Sequence, residues 1–586
     1  MVASEVLHEL IMRSNRAIYI ILIAFTAAIG GFLLGYDGSV VSGAAPFYKS
    51  VFGLEDGSVL FGFSVSCLIW GCMFGNLFAG PVSDRIGRKR TLLVAAFLFI
   101  VSSLITALAG NITTFIVGRI LAGVGVGFAI LAAPVFIAEV APPAKRGWLV
   151  SFNQLLIVVG LSSAYFVNYF ILKMVPDPLT NWRWMLGVEA LPSLVYFLLI
   201  LAIPESPRWL VMKNRPEEAM AVMTKVGGQE HAQREYENIK RSLAQSSGLG
   251  NLAQIRELFN RRMKVILIIG VGLAIFQQVS GINSVLYYAP MIFESAGNAR
   301  DASFVQAMAI GVVFLVTTVA SMLVIDRLGR KPLLYLGVSI MALSLLVTGV
   351  AFRNATYTPT QPVIDNAAQN VLKSEVWAEA RKQHPELITY EDIELRDRFA
   401  KVIKPDQSTV RLDFSDPVLR AALARKDAFQ KALSPLAGRT FSSELTFNAA
   451  FKSALAGEAC PKPAAYTPFL LKGSIRINSM VVLISILGFI AGFSLSLGPV
   501  MWAMFSEIFP NRLRGMAISV VGTINSTTSF VVATLFPVQL SLFGSSATFF
   551  LYAGCMALCL VFVWKYVIET KGKSLEELER HLIREP

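Results

Sequence analysis

Apolar residues in this chain come in long runs, not in the short alternations of a soluble fold. Stretches of roughly 20 residues, the length that crosses a hydrocarbon core as a helix, number twelve. They lie near 18–40, 59–82, 91–109, 115–138, 150–172, 184–203, 265–293, 303–325, 332–352, 478–502, 514–537 and 546–567. A bilayer offers no water to satisfy backbone groups, so such runs must be helices or closed barrels, and runs of this length are helices. The pattern predicts an all-α membrane protein with twelve transmembrane helices. Polar sequence is confined to short turns, the ends, and two longer stretches, 205–264 and 353–476.

The polar turns repeat. Asp84-Arg85-Ile86-Gly87-Arg88-Lys89 returns as Asp326-Arg327-Leu328-Gly329-Arg330-Lys331, offset by 242 residues. Glu139-Val-Ala-Pro-Pro-Ala-Lys-Arg146-Gly147 returns as Glu507-Ile-Phe-Pro-Asn-Arg-Leu-Arg514-Gly515, offset by 368. Pro204-Glu205-Ser-Pro-Arg208 is echoed more loosely by Glu569-Thr-Lys-Gly. Two homologous halves are the architecture of many secondary transporters. The growth of the offset by 126 residues places a large insertion in the second half, and 353–476 accounts for nearly all of it. That stretch is expected to form a partly helical cap, with helix-compatible pieces at 366–384 and 416–434. The other polar stretch reads as short amphipathic helices near 215–226 and 232–244 that bridge the halves.

Composition agrees. Only 16% of the 586 residues are charged and 54% are hydrophobic, against about 25% charged in a soluble domain. The net charge of +13 invites a nucleic-acid reading, but its placement argues against one. Lys and Arg gather in 84–90, 145–146, 326–331, 512–514 and 205–264, all on one side of a twelve-span arrangement. By the positive-inside rule that side is cytoplasmic, with both termini there. The first span contains Asp37 and ends in no small-residue cleavage pattern, so it is expected to be retained as a helix. Five scattered cysteines show no metal-ligand spacing, and Cys460 has no partner in its loop, which implies neither disulfide nor metal.

These motifs resemble those of the sugar porter family of the major facilitator superfamily, from about residue 20 to 580 apart from the insert. The residues carrying the resemblance are Gly30-Gly-Phe-Leu-Leu-Gly-Tyr-Asp37, the Asp-Arg-x-Gly-Arg-Lys pair, Gly118-Arg119, Ser151-Phe-Asn-Gln154 and Pro204-Glu-Ser-Pro-Arg208. Gln277-Gln-Val-Ser-Gly-Ile-Asn283-Ser-Val-Leu-Tyr-Tyr288, Gly498-Pro-Val-Met-Trp502 and Glu569-Thr-Lys-Gly572 complete the set. The resemblance implies the major facilitator fold: two six-helix bundles, a site at the midplane between them, and alternating access. The expected parts are an N-terminal bundle 1–204, a cytoplasmic linker 205–264, and a C-terminal bundle divided into 265–352 and 477–567. The extracytoplasmic insert 353–476 and a cytoplasmic tail 568–586 complete the chain.

A sugar is neutral and covered in hydroxyls, so its site needs side-chain amides, which both donate and accept, and an aromatic face. Gln154, Gln277, Gln278 and Asn283 are amides inside apolar spans, where an unpartnered amide costs roughly 1–3 kcal/mol. Inter-helix hydrogen bonding is the structural alternative, but the family's sugar-coordinating positions match these four. Gln277 and Asn283 do not share one ideal helical face, and Ser280-Gly281 between them permits a break. Gly498-Pro499 is a second expected break, with Trp502 closing the cavity floor. The resemblance adds Tyr287, Gly498 and Asn525 to the binding set. Ser526, Leu34 and Phe314 depart from the family's usual Trp, Phe and Asn, which leaves pentose, hexose and cyclic polyol open.

An ionised Asp or Arg within a span costs roughly 2.5–3.5 kcal/mol even on the mild insertion scale. Asp37 and Arg119, in spans one and four, are therefore expected to pair. A carboxylate that alternates between an Arg partner and a water-filled cavity changes its proton affinity between states and so can carry a proton. Proton-coupled family members have an Asp and an Arg at these positions, whereas passive uniporters tend to have a neutral residue for the Asp. Asp84, Arg85, Arg88, Glu139, Arg146 and Glu205, mirrored by Asp326, Arg327, Arg330, Glu507, Arg514 and Glu569, read as a cytoplasmic gate.

The reading that follows is a proton-coupled monosaccharide symporter in the cell membrane, a bacterial inner membrane or a eukaryotic plasma membrane. A facilitative uniporter for a sugar or for a polyol such as myo-inositol is the alternative, and a non-transporting sugar sensor ranks below it. The expected partners are a monosaccharide, a proton and the bilayer, with no nucleic acid and no cofactor, on a monomer. Gly572-Lys573-Ser574 lacks the upstream glycine of a phosphate-binding loop. No nucleophile–base pair or metal cluster suggests an enzyme.

Overall fold

The computed structural model describes residues 2–571 and residue 577, apart from 56, 143–145, 246–255, 384–391, 396–398, 404–408, 414–416, 456–466 and 511–512. The first half is built from α1 (Val2–Val51), α2 (Val59–Ile86), α3 (Arg88–Ala107), α4 (Ile112–Val140), α5 (Arg146–Met174), α6 (Asn181–Gly187) and α7 (Ala190–Ala202). The polar linker folds as α8 (Pro207–Met212), α9 (Pro216–Gly227) and α10 (Gln229–Gln245) around Trp209, Leu210, Val222, Met223 and Ile239. The second half contains α11 (Lys264–Val279), α12 (Ile282–Tyr287), α13 (Ala289–Ser295), α14 (Arg300–Leu328) and α15 (Arg330–Arg353).

After the insert, with its helices α16 (Gln361–Gln383), α17 (Pro417–Leu433), α18 (Glu444–Ala454) and α19 (Thr467–Ser474), come α20 (Ser479–Leu495), α21 (Leu497–Ile508) and α22 (Arg514–Tyr566). Eleven helices among the described residues are long and apolar enough to cross a membrane. The last, α22, has 53 residues and would run about 80 Å if straight, far beyond a core of about 30 Å. Gly544, at φ 76 and ψ 167, turns the chain inside it. It therefore makes two crossings, and the twelve apolar runs are twelve spans.

The two charged turns explain their own sequence. Gly87 and Gly329 sit at φ 106 and φ 92, a backbone region that disfavours any side chain. A Cβ at Gly87 would lie 2.2 Å from Oε2 of Glu205, and one at Gly329 would lie 2.8 Å from Oε2 of Glu569. These carboxylates accept from the first backbone N–H groups of the next helix: Lys89 N to Glu205 at 2.9 Å, and Arg330 N and Lys331 N to Glu569 at 3.1 and 3.0 Å. Each motif is thus a helix N-terminus capped by a glutamate that arrives from the end of its own half.

The halves touch mainly at the insert face, away from those turns. There Ser66 Oγ and Thr534 Oγ1 are 2.6 Å apart, Ser162 Oγ donates to Gly311 O at 2.7 Å, and Tyr165 OH donates to Leu286 O at 2.7 Å. Lys173 meets Asp301 at 2.5 Å. Phe61 packs edge-on to Tyr288, and Tyr288 lies 5.2 Å from Phe536, so a single apolar core crosses between the halves on this side. Among the described residues no ion pair joins the halves at the charged-turn face. The contacts named between the halves lie toward the insert face.

The insert is a small cap with its own core of Phe429, Leu433, Phe447, Phe451 and Leu455. Its helices α16 and α17 cover the described part of the two pieces expected to be helical, up to Gln383 and from Pro417 to Leu433, while 384 and 416 lie outside the described residues. The sequence reading missed its strands: β1 (Thr356–Tyr357) pairs antiparallel with β5 (Ile475–Arg476) at the neck, and β2 (Asp392–Leu395), β3 (Phe399–Ile403) and β4 (Thr409–Asp413) form an antiparallel sheet. They are short and mixed with charge, too brief for alternation to stand out. The cap docks on the Gly544 turn, where Ser545 Oγ donates to Glu444 at 2.9 Å.

Candidate functional site

In the second half, two helix breaks create the polar surface. Gly281, at φ 83, separates α11 from α12. A Cβ there would lie 2.5 Å from the Tyr552 ring, so only glycine fits both the conformation and the space. The second break falls at Ser496 (φ −128, ψ −95), between α20 and α21 and just before Gly498. A break frees carbonyls that a helix would have used. Leu495 O is one of them and accepts from Ser321 Oγ at 3.4 Å, while Gln277 Nε2 donates to Leu497 O at the start of α21 at 2.8 Å.

From that anchor an amide network spreads. Gln277 Oε1 accepts from Asn525 Nδ2 at 2.8 Å and from Gln278 Nε2 at 3.1 Å. Gln278 Nε2 also donates to Asn525 Oδ1 at 3.1 Å, and Asn283 Nδ2 donates to Gln278 Oε1 at 2.9 Å. Asn283 Nδ2 reaches Ser529 Oγ at 2.6 Å, and Asn525 Nδ2 reaches Ala274 O at 2.9 Å. Gln277, Gln278, Asn283 and Asn525 are therefore brought together on three helices. Ser529 belongs with them and was missed; it lies one turn beyond Asn525, on the same face.

The remaining sugar candidates surround this network differently. Tyr287 is buried and would contact a Cβ placed on Gly38 at 3.7 Å, so it spans from the second half to the residue beside Asp37. Gln154 is half-buried on α5 with no hydrogen bond among the described residues, about 12 Å along the helix from the Ser162 contact. Gly498 lies in the first turn of α21, after the break. Trp502 is 43% exposed, edge-on to Phe505 and over Gly522. It stands on the Asn525 face of α22, one turn toward the charged turns.

The first half holds charge instead. Arg119 Nη1 is ion-paired to Asp37 Oδ1, and Nη1 and Nη2 also donate to the Asp37 carbonyl at 3.3 Å each. Both side chains are buried. A third ionisable group was missed: Glu189, buried at the α6–α7 junction, where its charge acts on both Asp37 and Arg119. The signal was present, since Glu189 interrupts the apolar run 184–203. Asp37 Oδ2, Arg119 Nε, Glu189 Oε1 and Tyr36 OH have no hydrogen-bond partner among the described residues. Four orphaned polar atoms around one ion pair are exceptional in a folded interior.

At the charged-turn face each half closes its own cluster. Arg88 grips Glu139 with two nitrogens at 3.0 and 3.1 Å and Asp84 at 3.0 Å, while Ser206 Oγ donates to Glu139. Arg330 reaches Glu507 at 2.8 and 3.1 Å, and Thr570 Oγ1 donates to Glu507 at 2.5 Å. Lys571 Nζ donates to Arg327 O at 2.6 Å. Burial tends to raise the Glu569 carboxyl, but the N–H groups of Lys571, Arg330, Lys331 and Thr570 win and hold it below its ordinary value. Arg514 Nε donates to Phe509 O at 3.3 Å. Arg85 and the Arg327 side chain are exposed. The side chains of Arg146 and Asp326, like Cys460, lie outside the described residues.

The model of the family described as "Sugar (and other) transporter" matches residues 23–370 and 454–582 and passes over the middle of the insert. The chain is 30% identical to an arabinose-proton symporter of Bacillus subtilis, over 98% of this chain and 97% of that one. It is 31% identical to a probable inositol transporter of Arabidopsis thaliana, over 97% of this chain and 92% of that one. An inward-open structure of the xylose transporter XylE from Escherichia coli superposes with a TM-score of 0.66 at 28% identity, covering 96% of this chain and 99% of that chain.

Proposed function

This chain belongs to the sugar transporter family, and on that premise we propose that it imports a monosaccharide together with a proton by alternating access. The observation that carries the reading is a charge count. Asp37, Glu189 and Arg119 bury two potential anions and one cation in one half, Asp37 and Arg119 as a direct pair and Glu189 acting on both through its charge. An uncompensated buried charge is costly, at roughly 3–5 kcal/mol when a buried pair is broken. One proton, taken up with the sugar and shared by the two carboxylates, makes the trio neutral, and Asp37 Oδ2 and Glu189 Oε1, without hydrogen bonds among the described residues, can receive it.

The sugar is assigned to the amides of the second half, Gln277, Gln278, Asn283 and Asn525, with Gln154 facing them from the first half. Tyr287, Gly498 and Trp502 supply the apolar and backbone surface. Tyr287 against Gly38 is the direct link from sugar to proton carrier. A sugar that draws Tyr287 and α12 toward itself shifts α1, and the Arg119 guanidinium and a proton exchange as partners of Asp37. The charged-turn face, the linker and both ends are assigned to the cytoplasm by the positive-inside rule. The clusters at Arg88–Glu139 and Arg330–Glu507 act as the hinge blocks that meet when this face closes.

A uniporter or polyol carrier is the second reading, favoured by the likeness to the inositol transporter. Uptake of labelled arabinose, xylose, glucose and myo-inositol into proteoliposomes, with and without an inward proton gradient, separates the two. Accumulation of one solute above equilibrium, driven by the gradient, is expected. Equilibration indifferent to the gradient rejects symport. The protein is assigned no catalytic activity, no cofactor and no nucleic-acid partner, and it works as a monomer.

A further inference from the structure

A groove of about 530 Å³ runs along the outside of the second half, away from the interface between the halves. Its walls are Leu267, Ile268, Val271 and Gly272 of α11 and Phe562 of α22, and its mouth holds Phe259, Asn260, Arg261 and Lys264. A Cβ on Gly272 would lie 2.2 Å from the Phe562 ring, so the glycine is what lets that ring form the far wall. From Arg261 to Gly272 the helix rises about 16 Å, roughly half of a 30 Å hydrocarbon core. The groove is one leaflet deep and open sideways, toward the membrane.

The mouth is cationic. Arg261, Arg262 and Lys264 fall within four residues, all are exposed, and none is held in an ion pair among the described residues. An apolar slot one leaflet deep, with exposed cations at its rim, has the chemistry of one ligand class. We propose that the groove binds an anionic phospholipid of the leaflet on the charged-turn side, its phosphate on Arg261 and Lys264 and an acyl chain along Val271 and Phe562. Basic residues beside a membrane surface attract such lipids; the groove makes the attraction a site. An occupant bridges α11 to the last span, and α11 carries Gln277 and Gln278 little more than a turn further in. The proposal stands whether or not the transported solute is a sugar.

The test uses the full chain in nanodiscs of phosphatidylcholine containing a minority of phosphatidylglycerol, with retained lipid read by native mass spectrometry. Wild-type protein is expected to retain one phosphatidylglycerol in preference to phosphatidylcholine. Arg261→Ala/Lys264→Ala should weaken that retention about tenfold. Lys225→Ala/Lys240→Ala, which removes the same charge from exposed positions on the linker, should leave it unchanged. Val271→Trp keeps every charge and fills the slot, so it should also release the lipid. Equal loss in both charge pairs, no loss in Arg261→Ala/Lys264→Ala, or retention without headgroup preference would each overturn the proposal. Should Val271→Trp misfold, the exposed double variant still decides.

Discussion

At their charged-turn ends the two halves are close copies. Arg88 holds Glu139 as Arg330 holds Glu507, Ser206 and Thr570 donate to those same glutamates, and Glu205 and Glu569 cap the following helix. At mid-depth the likeness ends. The first half buries Asp37, Arg119 and Glu189, while the second buries Gln277, Gln278 and Asn525, with half-buried Asn283, beside two helix breaks. Duplicated frames have kept the parts that hold and move a bundle and have divided the chemistry. One half carries charge, and the other carries paired donors and acceptors.

The largest expected effect breaks the charged side. Arg119→Ala leaves two carboxylates without their cation and should cost about 3–5 kcal/mol of stability, read by thermal unfolding in detergent. Adding Asp37→Asn should restore most of it, a coupling that a double-mutant cycle measures. Next comes the amide side. Gln277→Ala removes the partner of both Leu497 O and Asn525 and should weaken sugar binding by about 1–3 kcal/mol, while any proton coupling that remains keeps its stoichiometry. Calorimetric titration at fixed pH checks it.

A smaller effect sharpens the part the halves share. Gly87→Ala and Gly329→Ala both force a side chain into positive φ and against a glutamate. Each should cost about 1–2 kcal/mol from the backbone alone, with Gly87→Ala the worse because Glu205 lies closer. The smallest effect concerns the latch at the insert face: Lys173→Ala removes an exposed pair with Asp301, worth about 1 kcal/mol or less. It should shift crosslinking across the insert face slightly toward the opened form, and less so in high salt.

Much of this was legible in sequence because membrane length, charge and glycine each leave a mark. Gly281 stood between two amides that no single helical face could join, and the break is there. The second break lies at Ser496, two residues before the Gly498-Pro499 that announced it, because Pro499 has no N–H to bond Leu495 O and the helix ends there. The Glu205–Glu569 equivalence was faint, since the residue beside each glutamate changes from Ser to Thr while its hydrogen bond stays. Glu189 stood out in its apolar run, but only packing brings its charge to bear on Asp37 and Arg119. The cap strands were missed because their pairing is non-local, and sequence periodicity over four or five residues says little.

The central claim is that the first half binds the proton and the second binds the sugar. Proton uptake by purified protein on adding sugar, followed with a pH-sensitive dye in weak buffer, tests it most directly. Wild-type protein should take up close to one proton per sugar bound, and Asp37→Asn should bind sugar but take up none. Undiminished proton uptake in Asp37→Asn, or loss of sugar binding there as complete as in Gln277→Ala, would contradict the division of labour.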